Sequence, residues 1–246
     1  MRITTWNFMS IKLSISDIAV AFSQTRIAVV IAEDLIIAPE RSAALDDLIR
    51  EREAAARAQW ADFELSQIPG IAAWRQAYKA FGIKQTRYRS SVERIVKNVL
   101  ADRELSRINA FVDLYNAVSL QHVLPLGADD LDKVVRPLAF RYARDGDSFV
   151  DMAEGANEFG DVPDQPKPGE VVFADAEKVL CRRWNWRQDA RSLITPQTER
   201  AIVTLQSNGW GDVEAAATDL ADLISRFCRG QCRTAFLSAS QPNVEI

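Results

Sequence analysis
The sequence predicts an α+β domain with a mixed or largely antiparallel sheet and flanking helices. Three observations carry this. Helix-spaced apolar residues fill most of the chain up to about residue 123, and beyond Asp130 short β-rich runs alternate with Gly, Pro and Asp. Helices followed by strands imply a sheet covered by helices rather than alternating βα units. The 246 residues, 48% apolar and 26% charged, contain no internal repeat, which suits one large globular domain.

Taken in order, residues 15–22 and 26–37 are rich in Ile and Val and read as early strands, the second punctuated by Glu33-Asp34. Pro39 opens a helix that runs to Trp60 through Ala, Leu, Arg and Glu. Pro69-Gly70 marks a turn, and Ile71, Trp74, Tyr78 and Phe81 are spaced for a helix that Gly82 ends. Val92, Ile95, Val96 and Val99 place a helix over 91–100. Residues 108, 111, 115, 118 and 122 form one apolar stripe on a helix over 108–123, which Pro125 and Gly127 break. Strands follow at 138–142, 148–152 and 171–175, with a proline-rich loop at 161–169. A strand at 202–206 and an amphipathic helix over 213–228 close the chain. Residues 1–65 are expected to pack as strands and a helix on a main unit, 66–246, within a single compact domain.

Composition excludes several functions. A net charge of −4 argues against non-specific nucleic-acid binding over a broad surface. Three cysteines make no disulfide framework, and Cys228 and Cys232, four apart, read as reduced thiols sharing a helix face. With one histidine in the chain, no metal site is expected, and no cofactor. No run of about 18 apolar residues is present, so no membrane partner is expected and the cytoplasm is the expected location.

The usual hydrolase and phosphate-loop motifs are absent. His122, on the apolar stripe, reads as a hydrogen-bonded core residue. Asn116 and Ser119, three apart, share a helix side with Asp113 one turn earlier. That side is either solvated or turned to a pocket. The stretch C-R-R-W-N-W-R-Q-D-A-R concentrates Arg182, Arg183, Arg187 and Arg191 around Trp184, Asn185 and Trp186. At strand period both indoles would share one face, with Asn185 on the other. Such a pair is core, or with its arginines a platform for a base and phosphate.

Five ordered segments carry a resemblance: A-Y-K-A-F-G-I (77–83), R-Y-R-S-S-V-E-R (87–94), I-N-A-F-V-D-L-Y-N-A-V-S-L (108–120), L-P-L-G-A-D-D-L-D-K (124–133) and P-G-E-V-V-F-A-D-A-E-K-V-L-C-R-R-W-N-W-R (168–187). Over roughly residues 70–210 the chain resembles the free-standing B3/B4 domain proteins, which are similar to the B3/B4 editing module of the bacterial phenylalanyl-tRNA synthetase β subunit. The resemblance implies a B3/B4-like fold and a pocket in which the ester of a mischarged tRNA is hydrolysed in trans. Its alternative is a module that binds tRNA or an amino acid without hydrolysis. The partner implied is a tRNA acceptor end with its attached amino acid; the oligomeric state stays open.

An aminoacyl ester is already activated, so such a protein needs to position a water and polarise a carbonyl, without a metal or strong base. Asn116 and Ser119 are then the candidate catalytic side chains. Arg182, Arg183, Trp184, Asn185, Arg187 and Arg191 are candidates for substrate and tRNA binding. The synthetase module carries a histidine in its Q-P-L-H-A-F-D stretch, where this chain has Gly127. Its absence widens that side of the pocket and leaves the amino acid open.

Overall fold
β2 (Thr25–Glu33) supplies the centre of the fold because six of its residues in a row, Ile27 to Ala32, are buried on both faces. A computed structural model describes residues 10–83, 87–152 and 165–246. In it β2 lies between β8 (Ala201–Asn208) and β9 (Gln231–Ser238), antiparallel to both, and β3 (Leu126–Asp130) pairs antiparallel to the far edge of β8. The second sheet runs β10–β1–β4–β5–β6–β7. Its strands are β1 (Lys12–Ser14), β4 (Leu138–Tyr142), β5 (Val171–Ala174), β6 (Val179–Arg182), β7 (Arg187–Gln188) and β10 (Asn243–Glu245). Among the described residues only β1 and β4 pair parallel, so the expected mixed, mostly antiparallel character is found, divided between two sheets.

Five α-helices among the described residues surround them. α1 (Ala43–Trp60) is capped by Ser42, whose hydroxyl accepts from the Leu45 amide. Pro39 therefore precedes the helix by a short linker rather than opening it. α2 (Pro69–Ala80) takes Pro69 at its first turn, where the missing N–H costs nothing, so Pro69-Gly70 starts the helix instead of marking a turn. α3 (Ser91–Leu100) and α5 (Val213–Cys228) fall where the periodicity places them. α4 (Ala110–His122) is capped by Asn109 and ends at Val123, which adopts a left-handed φ of 51°. It is buried nearly all round, on Phe111, Leu114, Val118 and also Asp113 and Ser119, while Ile108 is exposed. The single stripe expected there is too narrow, because α1, α3, α5 and β3 all pack against this helix.

Two expected strands are absent. Residues 15–22 form successive turns bonded Ile18 N to Ile15 O and Phe22 N to Ile18 O. Their buried residues, Ile15, Ile18, Ala19 and Phe22, follow a spacing of three and four, and Val20 is 94% exposed. Residues 148–152 make only an isolated bridge, Asp151 to Asp189, because the Val150 amide donates to the Asp189 side chain instead of a strand partner. β2 also stops at Glu33, where Asp34 turns left-handed at φ 56°. The expected 161–169 loop lies partly outside the described residues. Cys228 ends α5 and Cys232 sits in β9, so no helix face joins them; both thiols are free. His122 is half-buried, its Nε2 3.0 Å from Asp219 Oδ2. No helix among the described residues is long and apolar enough to cross a membrane.

Candidate functional site
A cavity of about 480 Å³ opens where α3, α4, β3, β8 and the β6–β7 hairpin converge. α4 presents Val112, Tyr115 and Asn116 to it, and β3 presents Gly127, Ala128 and Asp129. Thr204 and Gln206 come from β8, and Arg94, Ile95 and Asn98 from α3. The hairpin adds Asn185, Trp186, Arg187 and Gln188.

The hairpin tip is aimed by its backbone. Arg183 and Trp184 are consecutive left-handed residues, φ 45° and 67°, a conformation costing roughly 1–3 kcal/mol each for a side chain with a Cβ. The reversal drives Trp184 into the core, fully buried with its ring 5.1 Å from Trp74 and 4.8 Å from Phe22. Trp186 turns the other way, against Tyr88 at 5.1 Å and Arg183 at 4.3 Å. The expectation that both indoles share a strand face is therefore wrong: residues 183–186 are a turn, where alternation does not hold. Hydrogen bonds from Ser91 N to Asn185 O (2.9 Å) and from Arg94 Nη2 to Trp186 O (3.0 Å) fix the tip against α3.

The floor is a chain of polar side chains. Tyr78 Oη donates to Asn185 Oδ1 (2.9 Å), Asn185 Nδ2 to Gln206 Oε1 (3.1 Å), and Gln206 Nε2 to Thr204 Oγ1 (3.0 Å). Asn185 is thereby held rigid with every amide group engaged. Beside this chain Asp129 Oδ1 accepts from Ser192 Oγ (2.7 Å) and from Gln188 Nε2 (2.9 Å), which also donates to Ala128 O. Burial pushes the Asp129 carboxyl up to about 7; the Ser192 and Gln188 hydrogen bonds pull against that, and the Asp189 charge adds to it. Burial also opposes ionisation of the Tyr115 hydroxyl and the Cys181 thiol, pushing both upward, and the Asp129 charge pushes them further.

The candidate residues divide. Asn116, Gly127, Asn185 and Arg187 line the cavity together, though they come from three separated stretches. The Asn116 amide makes no hydrogen bond among the described residues, and a Cβ on Gly127 would meet nothing within 4 Å. Ser119 does not reach the cavity: it lies nearly one turn further along α4, and its hydroxyl donates to Leu124 O (2.6 Å), closing the helix end. Trp184 is core. Arg182 is fully buried, its Nε and Nη2 on the Glu170 carboxylate at 2.9 and 3.0 Å. Arg183 is also buried, its guanidinium 3.7 Å from the centre of the Tyr88 ring. Arg191 pairs with Asp189 (2.7 Å) outside the cavity. Of the four arginines only Arg187 borders the cavity, paired with Asp151 at 2.7 Å. Sequence reasoning passed over Tyr115, Asp129, Thr204 and Gln206. Their one available signal is polar residues in otherwise apolar runs, such as Thr204 and Gln206 at strand period in β8.

The profile of the B3/4 domain matches residues 73–240. The chain belongs to the B3/4 domain family. Every cavity residue of this B3/4 protein falls inside the matched region, whereas β1, β2 and α1 precede it. Among solved structures, an N-terminal fragment of the phenylalanyl-tRNA synthetase β-subunit from Pyrococcus horikoshii is similar, with 12% identity and a TM-score of 0.43. The similarity covers 91% of this chain and 50% of that one, so the B3/4 chain spans half the length of its neighbour. No curated protein matches it.

Proposed function
We propose that this B3/4 protein hydrolyses, in trans, the ester of a mischarged aminoacyl-tRNA. The observation that carries the reading is the meeting of Asn116, Gly127, Asn185 and Arg187 on one cavity. An aminoacyl ester seated there offers a carbonyl oxygen to the uncommitted Asn116 amide, which polarises it and favours the tetrahedral oxyanion. The neighbouring ribose hydroxyl and a positioned water complete the attack, so no nucleophilic side chain is required. The Asn185–Gln206–Thr204 chain holds the floor in place, and Arg187 and Arg94 at the rim face the terminal adenosine and its phosphate. Ser119, Arg182, Trp184 and Arg191 have no contact role in this scheme.

One observation favours the second reading, a module that binds without hydrolysis. The arginine cluster is largely matched internally, Arg182 by Glu170, Arg187 by Asp151 and Arg191 by Asp189, which leaves little spare charge to grip a tRNA. A deacylation assay over a panel of mischarged tRNAs separates the two. Hydrolysis of at least one, with Asn116→Ala lowering turnover and Arg187→Ala raising the half-saturating tRNA concentration, is the expected result. Intact esters throughout, together with Asn116-dependent binding of an amino acid, would transfer the conclusion to the binding module.

A further inference from the structure
Asp129 is a carboxylate satisfied on one side only. Both of its hydrogen-bond donors, Ser192 and Gln188, reach Oδ1, and Oδ2 accepts no hydrogen bond among the described residues. The residue is only 3% exposed, and it borders the cavity. A carboxylate has about four acceptor sites, and leaving them unmet away from water costs stability. Of the cations around it, Lys178 pairs with Asp175 (2.7 Å), Arg187 with Asp151 and Arg191 with Asp189, while Arg94, on the same cavity, donates to Trp186 O. Tyr115 from α4 and Cys181 from β6 are held neutral, and Asp189 adds a like charge. The cavity it borders mixes an apolar wall, Val112, Leu126, Phe173 and Ile194, with the polar floor of Asn185, Gln206 and Thr204, whose amide and hydroxyl groups are bonded to one another. A largely buried acceptor on such a cavity, with Lys178, Arg187 and Arg191 paired to other carboxylates, is matched by a donor cation that arrives with the ligand.

We infer that the cavity takes a ligand bearing a primary ammonium group, and that Asp129 Oδ2 holds that group. Resting on the ester-hydrolysis reading, this specifies the substrate class: aminoacyl esters whose amine is unblocked, with N-acylated and peptidyl esters excluded. The amine is either the α-amino group or a side-chain ammonium, and both supply the same chemistry.

Ammonium binding requires ionised Asp129. Burial pushes its carboxyl up to about 7, so the ionised fraction falls about tenfold from pH 8 to pH 6. An α-amine titrates at about 8 and sheds part of its proton at the upper end, so affinity for α-ammonium should fall about three- to fivefold over that range, and about tenfold for a lysine side-chain ammonium.

The test uses non-hydrolysable 3′-aminoacylamino-adenosines (alanyl, phenylalanyl and lysyl), each with a free and an acetylated α-amine. Calorimetry on the wild-type chain and on Asp129→Asn is run beside deacylation of the matching mischarged tRNAs, acetylated and not. Acetylation is expected to weaken wild-type binding at least tenfold, Asp129→Asn binding less than twofold, and the pH 6 to 8 rise is expected to vanish in the variant. A lysyl probe that tolerates α-acetylation, but still depends on Asp129, assigns the ammonium to the side chain and supports the inference. If acetylated and free esters are cleaved and bound alike, the inference is overturned while the hydrolysis reading stands. If no ester is cleaved but the free-amine probes bind in an Asp129-dependent way, hydrolysis fails and the inference stands. No binding of any probe overturns it. The acetylation comparison on wild type needs no variant, so it decides even if Asp129→Asn does not fold.

Discussion
Replacing Arg182 with Met tests the claim that this arginine belongs to the interior and not to a tRNA interface. The guanidinium is fully buried and meets Glu170 through two bonds of 2.9 and 3.0 Å, and Glu170 itself is 5% exposed. Met matches the length of the arginine stem but removes both short hydrogen bonds to the carboxylate and leaves it Arg183 Nε at 3.9 Å. Breaking one half of a buried pair costs about 3–5 kcal/mol, because the partner charge is left without compensation. For a chain of this size that corresponds to a melting temperature roughly 6–20 °C lower, at about 2–4 °C per kcal/mol. Glu170→Gln should cost a comparable amount, and the double variant Arg182→Met/Glu170→Leu should recover most of the loss, since an apolar pair of similar volume is tolerated where a lone charge is not. Urea unfolding of the wild type, Arg182→Met, Glu170→Leu and the double variant forms a double-mutant cycle, with an expected coupling above about 1 kcal/mol. Ligand affinity per folded molecule should be unchanged. A single variant that is as stable as the wild type, or one that is stable but binds tRNA more weakly, would refute the assignment of Arg182 to the core.

Other outcomes follow from the same geometry. Trp184→Ala should cost about 3–5 kcal/mol in thermal unfolding by opening a cavity among Trp74, Phe22 and Phe81, whereas Trp184→Phe should cost far less, since it also removes an indole N–H that has no acceptor among the described residues. The folded-state pKa of Asp129 is raised to about 7 from an unfolded value near 3.9, so the native state holds the proton more tightly. Its contribution to stability is full at low pH and is lost as pH rises from about 4 to 7; Asp129→Asn should flatten that slope in denaturation curves at pH 4.5 and 7.5. Gly127→Ala should leave stability unchanged or slightly raised, because a Cβ meets open space and a strand gains from losing glycine, while it narrows the cavity and alters which probes bind in calorimetry.

α3 and α5 were legible in the sequence because each keeps an exposed face opposite its buried one, which is the condition under which periodicity reports burial. The hairpin at 183–186 was not. Two successive left-handed residues, neither of them Gly or Asn, leave no signal of the usual turn chemistry, and the conformation is held by Trp184 packing on residues more than a hundred positions earlier. Asn116 was found as a polar residue on an apolar helix, Asn185 inside the arginine and tryptophan cluster, and Gly127 through the family motif in which it replaces a histidine. Asp129 escaped because Ala-Asp-Asp reads as loop, and only its partners Gln188 and Ser192, 59 and 63 residues away, make it a cavity residue. The arginines were misjudged as a group because a charge count cannot distinguish a guanidinium facing water from one facing Glu170.

The central position of β2 bears on how the molecule can be divided. The region matched by the B3/4 profile begins at residue 73, yet the strand that joins β8 to β9 ends at Glu33. A polypeptide cut at that boundary would hold two eight-residue strands, each with an unpaired backbone edge, and a rectangular gap 4.7–4.9 Å from either. Such edges recruit whatever extended chain is at hand, including a second copy. Supplying residues 10–72 as a separate piece should therefore rescue the cut protein, β2 inserting as the missing strand and α1 covering α4, which makes this boundary a natural split point for complementation.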